Sequence, residues 1–117
     1  MKPFETQDFI LAVRFYKTEG GTEPVRDWLK SLSMDDKKAI GADIKTVQFG
    51  WPLGMPIVKK LEPGLWEVRS HIKDGIARVL FTVCDKTMVL LHGFIKKTMK
   101  IPHRELELAR NKLSLLV

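Results

Sequence analysis

Cysteine is nearly absent from this chain: Cys84 is the only one in 117 residues. An internal disulfide is therefore excluded, as is any cysteine-rich zinc site. Histidine is sparse too, and His71, His92 and His103 lie too far apart to match metal-ligand spacing. No metal or cofactor is expected. Long hydrophobic runs are missing: none approaches the ~20 residues that cross a bilayer, and no apolar segment follows a basic start. The expectation is a reduced, cytoplasmic protein with no membrane role. Internal repeats, low-complexity stretches and linkers are also missing, so residues 1–117 read as a single domain. Cys84 itself, inside "VLFTVC", reads as buried filler.

What is present is an ordinary core and an uneven charge. Hydrophobic residues make up 44%, enough for one packed interior. Net charge is +6 with a pI near 9.6. Residues 1–58 carry eight Lys/Arg and eight Asp/Glu, whereas residues 59–117 carry twelve against six. The whole excess lies in the second half. Such a half suits nucleic acid, an acidic protein or an anionic surface, with a solubilising surface as the plainer alternative.

Residues 9–17, "FILAVRFYK", alternate as a strand, with Phe9, Leu11, Val13 and Phe15 on one face. Gly20 and Gly21 end it. Thr22 as N-cap and Pro24 in the first turn begin a helix that presents Val25, Trp28, Leu29 and Leu32. Ser33 and Asp36 have capping-box spacing for a second helix bearing Ile40, Ile44 and Val47. "GWPLGMP", residues 50–56, is a loop. Three strands follow, over 65–73, 76–84 and 87–95, joined by turns at Asp74-Gly75 and Asp85-Lys86. The third is apolar on both faces and so should lie inside the sheet. Ile101 and Pro102 open a last helix whose stripe is Leu106, Ala109, Leu113 and Leu116. The predicted class is α+β, in the order β-α-α-β-β-β-α. It is a small, mostly antiparallel sheet with an N-terminal helical hairpin packed on one face and a C-terminal helix.

Strand periodicity also defines a candidate site. One face gathers Arg69, His71, Lys73, Arg78, His92, Lys96 and Lys97, with Glu67 the only acid among them. If the helices cover the other face, this one is an open, basic, concave surface. Metal-free cleavage of a phosphodiester beside a 2′-hydroxyl would use such a face. A base takes the hydroxyl proton, the oxygen attacks phosphorus, and an acid protonates the leaving 5′-oxygen. Fixed cations stabilise the charge that develops. Arg69 and Arg78 interrupt otherwise apolar strands, so they are the firmest candidates, with Lys96, Lys97 and His92 beside them. His71, Lys73, Lys100 and the loop residue Trp51 are candidate RNA contacts, Trp51 by stacking on a base. Plainer readings stand next to these. Lys73 sits by a turn and can be simply solvated, His71 can be a surface residue, and His92 a hydrogen-bonded core histidine. Glu67 can pair with Arg69 or Lys73, or hold a catalytic cation, and the lysine pair can protect a sheet edge. His103 reads as ordinary surface.

"LWEVR", "ARVLF", "LLHGFIKKT" and "IPHRELELAR", with the earlier "EPVRDWLKSLS", together resemble the RelE/ParE toxin superfamily. The nearest likeness is to its phage-derived HigB-like branch, along almost the whole chain. The resemblance implies a RelE-like fold and the toxin of a type II toxin–antitoxin module. It implies a ribosome-dependent messenger-RNA endoribonuclease, an mRNA interferase that inhibits translation without metal. The implied partners are the ribosome and mRNA, and a cognate helix-turn-helix antitoxin through which alone operator DNA is met. Arg69, Arg78 and the Lys96–Lys97 pair fall where the family places phosphate-binding and catalytic groups. One departure is plain. Some RelE-type toxins follow the basic pair with a tyrosine, whereas here Thr98, Met99 and Lys100 follow and the only tyrosine is Tyr16. The general base among His71, His92 and the lysines stays open. The alternative is a ParE-like toxin directed at gyrase, or an inactive relative that only binds its antitoxin.

Overall fold

The computed structural model describes residues 10–96 and 100–116. Five strands and three helices follow in the order β1 (Ala12–Phe15), α1 (Pro24–Lys30), α2 (Met34–Gly50), β2 (Val58–Glu62), β3 (Leu65–Ile72), β4 (Gly75–Cys84), β5 (Thr87–Lys96) and α3 (His103–Ser114). The sheet order is β1-β5-β4-β3-β2. β1 runs parallel to β5, and the other neighbours are antiparallel. The sheet is thus mixed, and β5 is interior as its two apolar faces require.

The local signals act as expected in most places. The Ser33 side chain accepts a hydrogen bond from the Asp36 amide and caps α2. Pro24 opens α1, but Glu23 rather than Thr22 is the capping residue, and its side chain makes no cap bond. Asp85 and Lys86 both take positive φ, 50° and 61°, the backbone twist that a tight β4–β5 hairpin needs.

Three expectations need correcting. The first is a missing strand: β2, "VKKLE", was not anticipated, because its two lysines hide the alternation. The second concerns layers. α1 and α2 do pack as a hairpin on one face, where Val25, Ile40, Ile44 and Val47 meet Val68, Val79, Phe81 and Leu90. α3, however, packs on the opposite face, where Ala109, Leu106 and Leu113 meet Leu65, Leu80, Val89 and Leu91. An amphipathic helix needs an apolar surface to bury, and Leu65 of β3, Leu80 of β4 and Val89 and Leu91 of β5 supply one. Leu116 lies beyond α3 and is 43% exposed. The third is Cys84, which is exposed at the end of β4 rather than buried.

Two features aim the side chains of β5. The pairing shifts between Leu80↔His92 and Phe81↔Leu90, so Leu91 and His92 both fall on the α3 face. Without this bulge, His92 would share a face with Leu90 in the first core. One residue on, Gly93 lies under the Trp28 ring. A Cβ there would stand 2.5 Å from Trp28 Cε3 and Cζ3, so only glycine fits.

Candidate functional site

The registers set the polar side of the sheet into three cross-strand rows. The first runs Lys59, Glu67, Leu80, His92 from β2 to β5. The second is Arg69, Arg78, Phe94, and the third is His71, Ile76, Lys96. Rows lie about 7 Å apart and strands about 4.8 Å apart, so the backbone at His92 is roughly 12 Å from that at Arg69. The expected co-facial grouping of Arg69, His71, Arg78, His92 and Lys96 is therefore present.

The face is not the open basic surface expected. Arg78 is 1% exposed and Glu67 0%, and Arg78 Nη1 donates to Glu67 Oε1 at 2.8 Å. Arg69 Nε stands 3.5 Å from the same oxygen. Glu67 pairs chiefly with Arg78, not with Lys73. Burial pushes its carboxyl above the usual range, while Arg78, Arg69 and Lys59 pull it back. Arg78, Arg69 and Glu67 thus form one buried ionic cluster at the centre of the rows. Arg69 also reaches Met55 Sδ at 3.9 Å in the loop before β2.

His92 is partly buried and hydrogen-bonded, its Nε2 lying 2.6 Å from Glu105 Oε1 on the first turn of α3. Its ring lies 5.8 Å from that of Phe94. His71 on β3 and Lys73 in the β3–β4 turn are exposed, Lys96 at the end of β5 is half-buried, and Lys100 is exposed. Lys97 lies outside the described residues. Trp51 does not belong to this face at all. It packs edge-on against Trp66 and Phe81, at 5.0 and 5.6 Å, in the core beneath the helical hairpin. A base cannot stack on it from the cationic side. His103 is exposed, as expected.

Two members of the site had escaped sequence reasoning. Lys59 faces Glu67 across the β2–β3 ladder and is exposed. It could be placed only once β2 was known. Glu105 meets His92 through a contact between α3 and β5 that no spacing in the sequence encodes. Among the described residues, no group of three or more His, Cys, Asp or Glu side chains could hold a metal ion. None of their helices is long and apolar enough to cross a membrane.

The stretch from α1 through α3 carries a family signature: residues 27–114 match the model of the family described as phage derived protein Gp49-like. The chain belongs to the Gp49-like family. That family is toxin-like, which agrees with the broad resemblance noted from the sequence and stops short of the HigB-like branch. No curated protein matches the chain. The match spans every row of the cationic face of this Gp49-like protein, β2 included.

Proposed function

We propose that this Gp49-like protein is the toxin of a type II toxin–antitoxin module, HigB-like in kind. It cuts messenger RNA on the ribosome by metal-independent attack of a 2′-hydroxyl. The observation that carries the proposal is the convergence of Lys59, Arg69, His71, His92 and Lys96 on one side of the sheet, around a buried ionic cluster of Arg78, Arg69 and Glu67. In the reaction His92 takes the 2′-hydroxyl proton and the 2′-oxygen bonds to phosphorus. The bond from phosphorus to the 5′-oxygen then breaks, and Lys96 or His71 protonates the departing oxygen. The products are a 2′,3′-cyclic phosphate and a 5′-hydroxyl end. Arg69 and the cations Lys59, Lys73, Lys96 and Lys100 hold the phosphate and its developing charge. Lys97 follows Lys96 in sequence and is assigned with it. Arg78, being buried, contributes through Glu67 and Arg69 rather than by touching RNA. A cognate helix-turn-helix antitoxin neutralises the protein in the cell.

Induced expression with mapping of messenger-RNA ends tests this. Wild type should stop translation and create new 5′ ends inside reading frames, and Lys96→Ala should lower cleavage by roughly 10²–10³ if it meets developing charge. Arg78→Ala is a poor probe, because it removes a buried partner and tests folding. A second reading has one observation in its favour: Arg78 and His92 already hold the protein's own carboxylates. In that reading the protein binds an antitoxin or gyrase without cutting RNA. Growth arrest with intact transcripts, unchanged in Lys96→Ala, would support it and overturn the nuclease.

A further inference from the structure

We propose that Glu105 is a positioning residue that fixes the tautomer of His92 and so selects which ring nitrogen accepts a proton; this rests on the nuclease reading. The contact is short, 2.6 Å between His92 Nε2 and Glu105 Oε1, and both side chains are mostly withdrawn from solvent, at 15% and 27% exposure. An ionised carboxylate has lone pairs and no hydrogen to give. Nε2 must therefore carry the proton, and in the neutral ring Nδ1 is left with the lone pair. The base nitrogen toward substrate is Nδ1.

The carboxylate is held at that place by α3, not by its own flexibility. Ala109 is fully buried on the sheet, with Leu106 and Leu113 packed beside it. The next residue, Arg110, grips both carboxylate oxygens of Glu62 on β2, from Nε at 3.0 Å and Nη2 at 2.8 Å to Oε1 and from Nε at 3.2 Å to Oε2, and bonds Glu107 as well. α3 is thus tied to β2 at one end and to β5 at the other. Glu105 also stands in the first turn of α3, where the helix dipole favours a negative charge. On the other side of the contact, the β5 bulge turns His92 to this face. A helix and a bulge that are remote in sequence are both needed to make one pair.

A purely structural clip would hold α3 down and do no more. The two roles separate in Glu105→Gln, which keeps the size of the side chain but whose amide can either donate or accept. Long-range proton–nitrogen NMR of the imidazole in the full chain should show the Nε2–H tautomer for wild type at neutral pH. Glu105→Gln should lose that preference. On translating ribosomes, the maximal cleavage rate of Glu105→Gln should fall about 10- to 100-fold, part of what a general base supplies. The concentration for half-maximal cleavage should not move, and the double variant with His92→Gln should be no slower than His92→Gln alone. An Nδ1–H tautomer in wild type overturns the proposal, as does Glu105→Gln cleaving at the wild-type rate. Wild type that keeps the Nε2–H tautomer yet cleaves nothing overturns the nuclease reading instead.

Discussion

Replacing Arg78 with methionine should separate what holds this sheet together from what acts on its surface. Arg78 and Glu67 are 1% and 0% exposed and 2.8 Å apart at their closest polar atoms. Methionine roughly keeps the buried volume and removes only the charge and its donors. Breaking a buried pair on one side costs about 3–5 kcal/mol when the remaining charge loses its main partner, and Arg69, 3.5 Å from the same oxygen, compensates Glu67 only in part. A chain of 117 residues has about 6–18 kcal/mol of stability in all. With an unfolding entropy of about 250 cal/mol/K for this length, a loss near 4 kcal/mol lowers Tm by roughly 16 °C. The cost should also depend on pH, with a definite sign. Burial already raises the Glu67 carboxyl, and loss of Arg78 removes the largest opposing influence. The acid then takes up a proton more readily, which relieves the buried charge. The penalty should therefore shrink on acidification, from about 3–5 kcal/mol at neutral pH toward the ~1–3 kcal/mol of an unsatisfied polar group. Urea unfolding of wild type and Arg78→Met across the pH range measures both. A penalty under ~1 kcal/mol at neutral pH, or one that grows as pH falls, would refute the account of this pair as a buried structural centre.

Glu67→Gln should remove a pH slope of its own. Because the folded carboxyl is raised by burial, the folded state binds its proton more tightly than the unfolded chain. Wild-type stability relative to Glu67→Gln should therefore fall as pH rises from about 4.5 through the folded value, and a difference that rises with pH would contradict this. Gly93→Ala should drive a Cβ into Trp28, at 2.5 Å from its ring, and cost about 1–3 kcal/mol by thermal or chemical unfolding. Unchanged stability would mean that α1 can shift away freely. Ser33→Ala should cost about 1 kcal/mol through loss of the cap on α2, while Ser33→Asp should restore most of it.

Sequence alone determined the elements whose signals are local. Ser33 caps α2, Pro24 opens α1, Asp85-Lys86 turns β4 into β5, and strict alternation in 65–72 assigns Arg69 and His71 to one side. Each follows from a backbone or side-chain preference satisfied within a few residues. Tertiary structure decided what the cations face. The strand β2 is not legible in "VKKLE", where lysines replace the apolar partners, and so Lys59 could not be assigned to the site. The bulge at Leu91–His92 depends on how β5 meets β4, and the seat of α3 depends on apolar surface gathered from two strands. Trp51 looked like a loop aromatic and is a core residue, because the chain folds it onto Trp66 and Phe81. Periodicity fixes which way a side chain points, but only packing fixes what it meets there. The arginines that sequence presented as open charges meet Glu67, and His92 meets a carboxylate from a helix that begins eleven residues further on.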